Sequence, residues 1–222
     1  SIVWMREDRA FCEGFLGNTI TTELLSIWKN WRNFLMSKTH KLVMVATLSA
    51  ISFILMLFSF AIIPGAEFLK IEFSIIPVLL GLVLMDLKSA YLILLLRSLL
   101  KVFLNNRGVN DFIGLPMNII AIGLFVTAFA LIWNRKKGVG HYLLASLVGT
   151  GLSTLGMVVL NDVFAIPLYA KFANFDIGAY IGVAKYMVTM VIPFNLVEGF
   201  IFAITFYFVY IASKSILERY RH

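Results

Sequence analysis

One cysteine, Cys12, stands among 222 residues, so neither a disulfide framework nor a metal site of several thiolates can be built from this chain. Histidine is nearly as scarce: His40, His141 and His222 lie in polar stretches, which leaves no buried histidine cluster. Charge is thin, at 14% of residues, where a soluble domain carries about 25%. No glycine loop ends in Lys-Ser or Lys-Thr, no His-Glu-x-x-His occurs, and no nucleophile elbow is present. The carboxylates within apolar stretches come singly, not as spaced pairs. A small membrane enzyme acting on lipids would need an acid, a base or a metal constellation at one face, and none assembles. The chain therefore reads as no enzyme, with no cofactor of its own and no means of hydrolysing ATP itself.

What is abundant is apolar surface: 60% of residues are hydrophobic, and the mean hydropathy is +0.90. A chain of this composition cannot hide its apolar side chains in one water-soluble core, so its solvent is largely lipid. The net charge of +7 then reflects Lys and Arg held on the cytoplasmic side of a bilayer, not nucleic-acid binding. Apolar runs predict an all-α integral membrane protein of six transmembrane helices, at residues 42–63, 74–87, 89–104, 112–133, 142–163 and 186–213. The stretch from 73 to 104 is too long for one span; Asp86 and Lys88 suggest a hinge between two short helices. With both termini cytoplasmic, Lys38, Lys41, Lys88, Arg135, Lys136, Lys137, Lys214, Arg219 and Arg221 fall inside. Lys70, Arg107, Lys171 and Lys185 then fall outside, the asymmetry expected of a multi-pass protein of a cell membrane. The longer connections, residues 64–73, 105–111 and 162–185, face outward and predict a ligand site opening on that side.

Residues 1–35 differ from the rest. They hold Cys12 and three of the four tryptophans, and Leu24, Trp28, Trp31 and Leu35 recur at helical spacing. An interfacial helix and a dispensable leader before Met36 carry equal weight; no secretory signal is legible there. Residues 36–222 form the six-helix membrane domain.

Polar side chains in apolar runs invite explanation: Lys70, Glu72, Asp86, Arg97, Lys101, Asn118, Asn161, Asp162, Asn195 and Glu198. For Asp86, Lys88 and Lys101 the reading is helix–helix hydrogen bonding or snorkelling. Asn161 and Asn195 read differently, because an amide both donates and accepts and so suits a heterocycle edge of alternating N–H and C=O. Pro193-Phe194-Asn195 is expected to interrupt the last helix beside that site. Phe68, Phe73, Phe112, Phe164, Tyr169 and Phe194 are candidate walls of a flat slot, of which only a minority is expected to touch ligand. In the first span Ala46, Ser49, Ala50 and Ser52 form a smooth strip that another helix could approach closely, within the bundle or from a partner.

Taken together, Ala46-x-x-x-Ala50, the string Phe68-Leu69-Lys70-Ile71-Glu72-Phe73-Ser74-Ile75-Ile76-Pro77, Asn161, and Pro193-Phe194-Asn195-Leu196-Val197-Glu198-Gly199 resemble the substrate-binding S component of energy-coupling factor (ECF) transporters, most specifically its riboflavin-binding members. The resemblance covers residues 36–220. It implies capture of riboflavin from outside as the transported ligand, and docking through Ala46 and Ala50 onto a transmembrane coupling subunit with two cytoplasmic ATPase subunits. It also implies that the whole component topples in the lipid bilayer to deliver the vitamin. The implied binding residues are Phe68, Leu69, Lys70, Glu72, Asn118, Asn161, Asn195 and Glu198. Two positions depart from the family pattern: Glu198 stands where Lys is common, and Arg97-Ser98 where Lys-Asn is usual. A pyridoxine- or thiamine-type ligand is the alternative consistent with Glu198.

Overall fold

The computed structural model describes residues 38–61, 69–133 and 138–219. The chain divides into two compact units, Ser1–Met44 and Val45–His222. Of the first, only residues 38–44 are described, as the opening turns of helix α1 (Lys38–Leu57). The interfacial helix expected within residues 1–35 lies outside the described residues.

Among the described residues, the regular structure of the second unit is helical apart from one antiparallel pair of two-residue strands. In it, β1 (Phe60–Ala61) pairs with β2 (Lys70–Ile71), Phe60 opposite Ile71 and Ala61 opposite Lys70. The region expected to hold two short helices contains α2 (Ile75–Leu84) and α3 (Leu87–Leu104), hinged at Met85 and Asp86. Pro77 is tolerated in α2 because its missing N–H falls in the first turn, where no intrahelical acceptor exists. Asp86 starts α3 as an N-cap, accepting from the Ser89 backbone N–H at 2.7 Å and its hydroxyl at 2.9 Å. The hinge is therefore built by the charged residue that the hydropathy pattern singled out.

Next come α4 (Val109–Trp133) and α5 (Val139–Leu160), the most extensively packed pair. Here an expectation is corrected: the helix of the fifth apolar run does not end at residue 163. It widens into a π-helical turn, Asn161–Ala165, and continues as α6 (Ile166–Phe172). Pro167 permits this because it sits in the first turn of the renewed helix. Residues 162–172 are thus helix, not connection. Two single turns, α7 (Ile177–Tyr180) and α8 (Val183–Tyr186), lead to a second π-helical turn, Met187–Val191, and then to α9 (Ile192–Arg219). Pro193 does not break the last helix. The irregularity is the wide turn directly before it, where the ring would otherwise press on the preceding carbonyls.

Among the described residues, four helices are long and apolar enough to cross a membrane: Thr39–Leu57, Val109–Trp133, Val139–Phe172 and Val183–Ala212. Their outer faces remain apolar. On α9, Val197, Phe200, Ile204, Phe208 and Ile211 are exposed at helical spacing, as a lipid-facing stripe requires. On α1, Val45, Ser49, Ser52 and Met56 face the bundle, whereas Ala46 and Ala50 are exposed. The strip expected from sequence is thus split, its serines turned inward and its alanines outward.

One end of the bundle is closed by rings. Phe129 meets Tyr142 and Phe206 edge-on at 5.6 and 5.9 Å, and Trp133 meets Tyr142 and Tyr210 at 5.4 and 5.6 Å. The Tyr142 hydroxyl donates to the Ala203 carbonyl at 2.6 Å, which ties α5 to α9. Nearer the middle the same helices approach so closely that a side chain at Gly199 would collide with Thr150. Gly199→Ala is expected to destabilise the fold by about 1–3 kcal/mol through overpacking, read as a lower thermal midpoint in detergent. Thr150→Ser in the same chain should recover part of the loss; an unchanged midpoint in the single variant would show that the helices can part freely.

Candidate functional site

Arg97 on α3 is 0% exposed and is the largest fully buried side chain of the described residues. Its Nη1 donates to Glu72 Oε1 at 2.9 Å and to the Ser74 hydroxyl, and its Nη2 donates to Asn118 Oδ1. Glu72 is itself buried and also accepts from Ser74 at 2.8 Å and from Asn118 Nδ2 at 3.1 Å. The Ser52 hydroxyl donates to the Ser74 carbonyl at 2.6 Å. One ion pair thus joins α1, the segment after β2, α3 and α4. Lys101, one turn along α3, pairs with Asp111 at 3.2 Å and donates to the carbonyl and side chain of Asn105, closing the turn between α3 and α4.

This network forms one wall of a vestibule of about 620 Å³, lined also by Lys70, Lys101, Arg107, Asp111, Tyr169 and Phe175. Lys70, Gly114, Asn118 and Tyr169 continue into an inner cavity of about 130 Å³ between α4, α5 and α9. Its walls are Leu69, Ile75, Met117, Met157, Phe125, Phe194 and Phe202, and its polar groups are Asn118, Ser153, Asn161, Asn195 and Glu198. A mixed-charge mouth thus leads into an apolar slot with a few convergent polar groups, the layout of a small-molecule site.

The two deeper amides are held in defined orientations. Asn161 Nδ2 donates to the Met157 carbonyl at 2.8 Å, and Asn161 Oδ1 accepts from the Tyr186 hydroxyl at 2.9 Å. Asn195 Nδ2 donates to the Val191 carbonyl at 2.8 Å, and its Oδ1 takes no hydrogen bond among the described residues. A carbonyl can only accept, so in both cases the nitrogen must face the backbone. Glu198, one turn beyond Asn195 on α9, makes no hydrogen bond or ion pair among the described residues and borders the cavity.

A family model, the substrate-specific component of ECF transporters, matches residues 40–210. The chain belongs to that family. It is 55% identical over 193 residues to the riboflavin transporter RibU of Streptococcus thermophilus, covering 87% of this chain and 92% of that protein. To RibU of Leuconostoc mesenteroides it is 38% identical, covering 83% and 96% respectively. A solved structure of the S component of a bacterial ECF transporter superposes with a TM-score of 0.67 at 23% identity, over 82% of this chain and 99% of that one. The last likeness shows the membrane all-α fold.

In this S component, Leu69, Lys70, Glu72, Asn118, Asn161, Asn195 and Glu198 all reach the vestibule or the inner cavity. Phe68 lies outside the described residues. Of the expected slot walls, Tyr169 and Phe194 line the cavity. Phe73 instead packs on Phe60, with ring centroids 6.2 Å apart; Phe112 is 63% exposed; Phe164 sits in a cluster with Ile113 and Met117. Sequence reasoning missed Met117, Met157, Ser153 and Tyr186. Helical phase from Asn161 back along α5 would have found Met157 and Ser153, four and eight residues earlier. Tyr186 carried no such signal, because the turns between it and Asn161 are irregular.

Arg97→Met would leave the Glu72 carboxylate buried beside no cation. The loss is expected to be about 3–5 kcal/mol, measured by denaturant unfolding in detergent. Adding Glu72→Gln should restore part of it, since the second variant removes the orphaned charge; a single variant as stable as the wild type would show that the pair contributes nothing.

Proposed function

We propose that this S component captures riboflavin at the vestibule and inner cavity and delivers it together with an ATP-hydrolysing coupling module. One observation carries the reading: two oriented side-chain amides and a carboxylate converge on a slot walled by aromatic, aliphatic and methionine side chains. The flavin ring has such a requirement, a flat apolar body with one edge that alternates C=O, N–H and C=O. Asn161 offers a free N–H to a ring carbonyl, and Asn195 offers an unengaged Oδ1 to the ring N–H. Glu198 accepts from the ribityl hydroxyls, where lysine in its place would donate. Lys70, Glu72 and Asn118 meet the ligand nearer the mouth, with Leu69 against its apolar face. The curated relatives named above are riboflavin transporters, which favours this vitamin over a pyridoxine- or thiamine-type ligand.

The proposed topology has six spans, α2 and α3 completing the four long helices, both termini in the cytoplasm of a bacterial cell, and the vestibule facing outward. Ala46 and Ala50, exposed on α1, form the surface that meets a transmembrane coupling subunit, itself joined to two ATPase subunits. Small side chains there let a partner helix approach closely. Delivery follows by toppling of the whole component in the bilayer.

Purified protein in detergent is expected to quench flavin fluorescence saturably at one flavin per chain, and Asn195→Ala to weaken binding by about 1–3 kcal/mol. Folded protein that leaves flavin fluorescence untouched would remove riboflavin as the ligand. Ala46→Trp or Ala50→Trp should spare flavin binding and abolish uptake by the assembled complex; uptake that survives both would show that docking occurs elsewhere.

A further inference from the structure

Asn161 is an unusually committed amide. Its nitrogen faces the Met157 carbonyl and its oxygen is turned to the Tyr186 hydroxyl, which leaves the second N–H as the donor for a ligand and only one lone pair on an oxygen already engaged. Tyr186 is itself 1% exposed, packed with Ile177, Met187 and Val191. It ends a single helical turn that starts at Gly182, whose φ of 85° suits glycine, and its own N–H donates to the Gly182 carbonyl at 3.0 Å. Both partners sit at the edge of a wide turn: Asn161 opens the first π-helical turn, and Tyr186 directly precedes the second. Such turns frequently mark functional sites.

We propose that Tyr186, although it does not line the cavity, is a positioning residue for ligand recognition: by donating to Asn161 Oδ1 it makes that amide meet the ligand as a donor. This rests on the riboflavin reading above. The amide turns as one planar group about its Cβ–Cγ bond, and the Met157 bond alone is a single tether against that rotation; the tyrosine bond adds a second and keeps Oδ1 directed at Tyr186. Drawing density onto the oxygen also polarises the opposite N–H, since hydrogen bonds in series strengthen one another at low local dielectric. Asn195, with no such partner on its oxygen, stays an acceptor. The two amides therefore present opposite polarity to one ring edge, and Tyr186 sets the difference.

A double-mutant cycle tests this, with flavin binding and the near-ultraviolet band of bound flavin as readouts. Tyr186→Phe is expected to weaken riboflavin binding about tenfold, and Asn161→Ala by about 5–150-fold, the range for removing a partner of a buried polar group. The double variant should bind no more weakly than Asn161→Ala alone, because Tyr186 acts through Asn161. The band of bound flavin, which responds to hydrogen bonds at the ring carbonyls, should shift the same way in Tyr186→Phe as in Asn161→Ala. Losses that multiply, or a Tyr186→Phe spectrum identical to wild type, would overturn the proposal while leaving the riboflavin reading intact. Asn161→Asp provides an arm that does not depend on how Tyr186→Phe folds. Its carboxylate keeps the tyrosine bond but has no N–H, so it should bind at least as weakly as Asn161→Ala; wild-type affinity there also overturns the donor assignment. Wild-type protein that does not quench flavin at all would overturn the riboflavin reading and this inference together.

Discussion

Arg97 brings a permanent positive charge to a place with 0% exposure, and much of the mouth of the site is arranged to make that tolerable. A guanidinium has five donors in a fixed fork and cannot shed its proton, so it must be met by acceptors from several directions. Glu72, Ser74 and Asn118 meet it, and they come from the segment after β2 and from α4. Removing one partner of such a pair is far worse than having neither, because it leaves a desolvated charge. The pair therefore works less as glue than as a register pin. In the observed alignment, the segment that carries Lys70 and Glu72 brings Glu72 and Ser74 against the arginine.

Below that pin the chemistry changes. The mouth is charged with both signs, while the inner cavity, past the shared Lys70 and Tyr169, holds neutral amides, the Ser153 hydroxyl and the Glu198 carboxylate among apolar walls. Neutral amides suit a buried site because they can be desolvated at far lower cost than ions. Their value lies in orientation, and here orientation comes from backbone carbonyls and one tyrosine hydroxyl. Both wide turns lie beside these amides. The departures from regular helix and the recognition groups thus coincide in space.

How far this could be read from sequence depended on whether the signal was local. The hinge between α2 and α3 was legible because Asp86 and Lys88 are charges in an apolar run too long for one span; that Asp86 caps α3 was not, since it read as a helix–helix hydrogen-bonding or snorkelling residue. Asn161, Asn195 and Glu198 were legible as candidates because polar groups in apolar runs need a reason. The end of the fifth apolar run was misplaced at residue 163, because Asp162 looks like a terminus and a π-helical turn has no strong sequence signature. The Arg97 network joins residues more than twenty positions apart, and nothing in linear spacing reveals such a meeting. The slot walls fared worst for a related reason: with 20 Phe and 8 Tyr in the chain, an aromatic residue near the site is weak evidence that its ring faces inward.

The aromatic block of Phe129, Trp133, Tyr142, Phe206 and Tyr210 gives the bundle an uneven stiffness. Rings that interlock edge to face open only with the whole core, whereas a pair of two-residue strands and single helical turns have few bonds to hold them. Cooperative units of different strength thus occupy the two ends of the bundle, the firm one away from the vestibule. Warming would loosen the rim before the base, so the capacity to hold a ligand disappears at a lower temperature than the helices do. Amide exchange would register the same order, fastest in the paired strands and slowest in the ring-bearing turns of α4 and α9. A ligand seated across the rim would narrow the gap by tying the weaker unit to the stronger one.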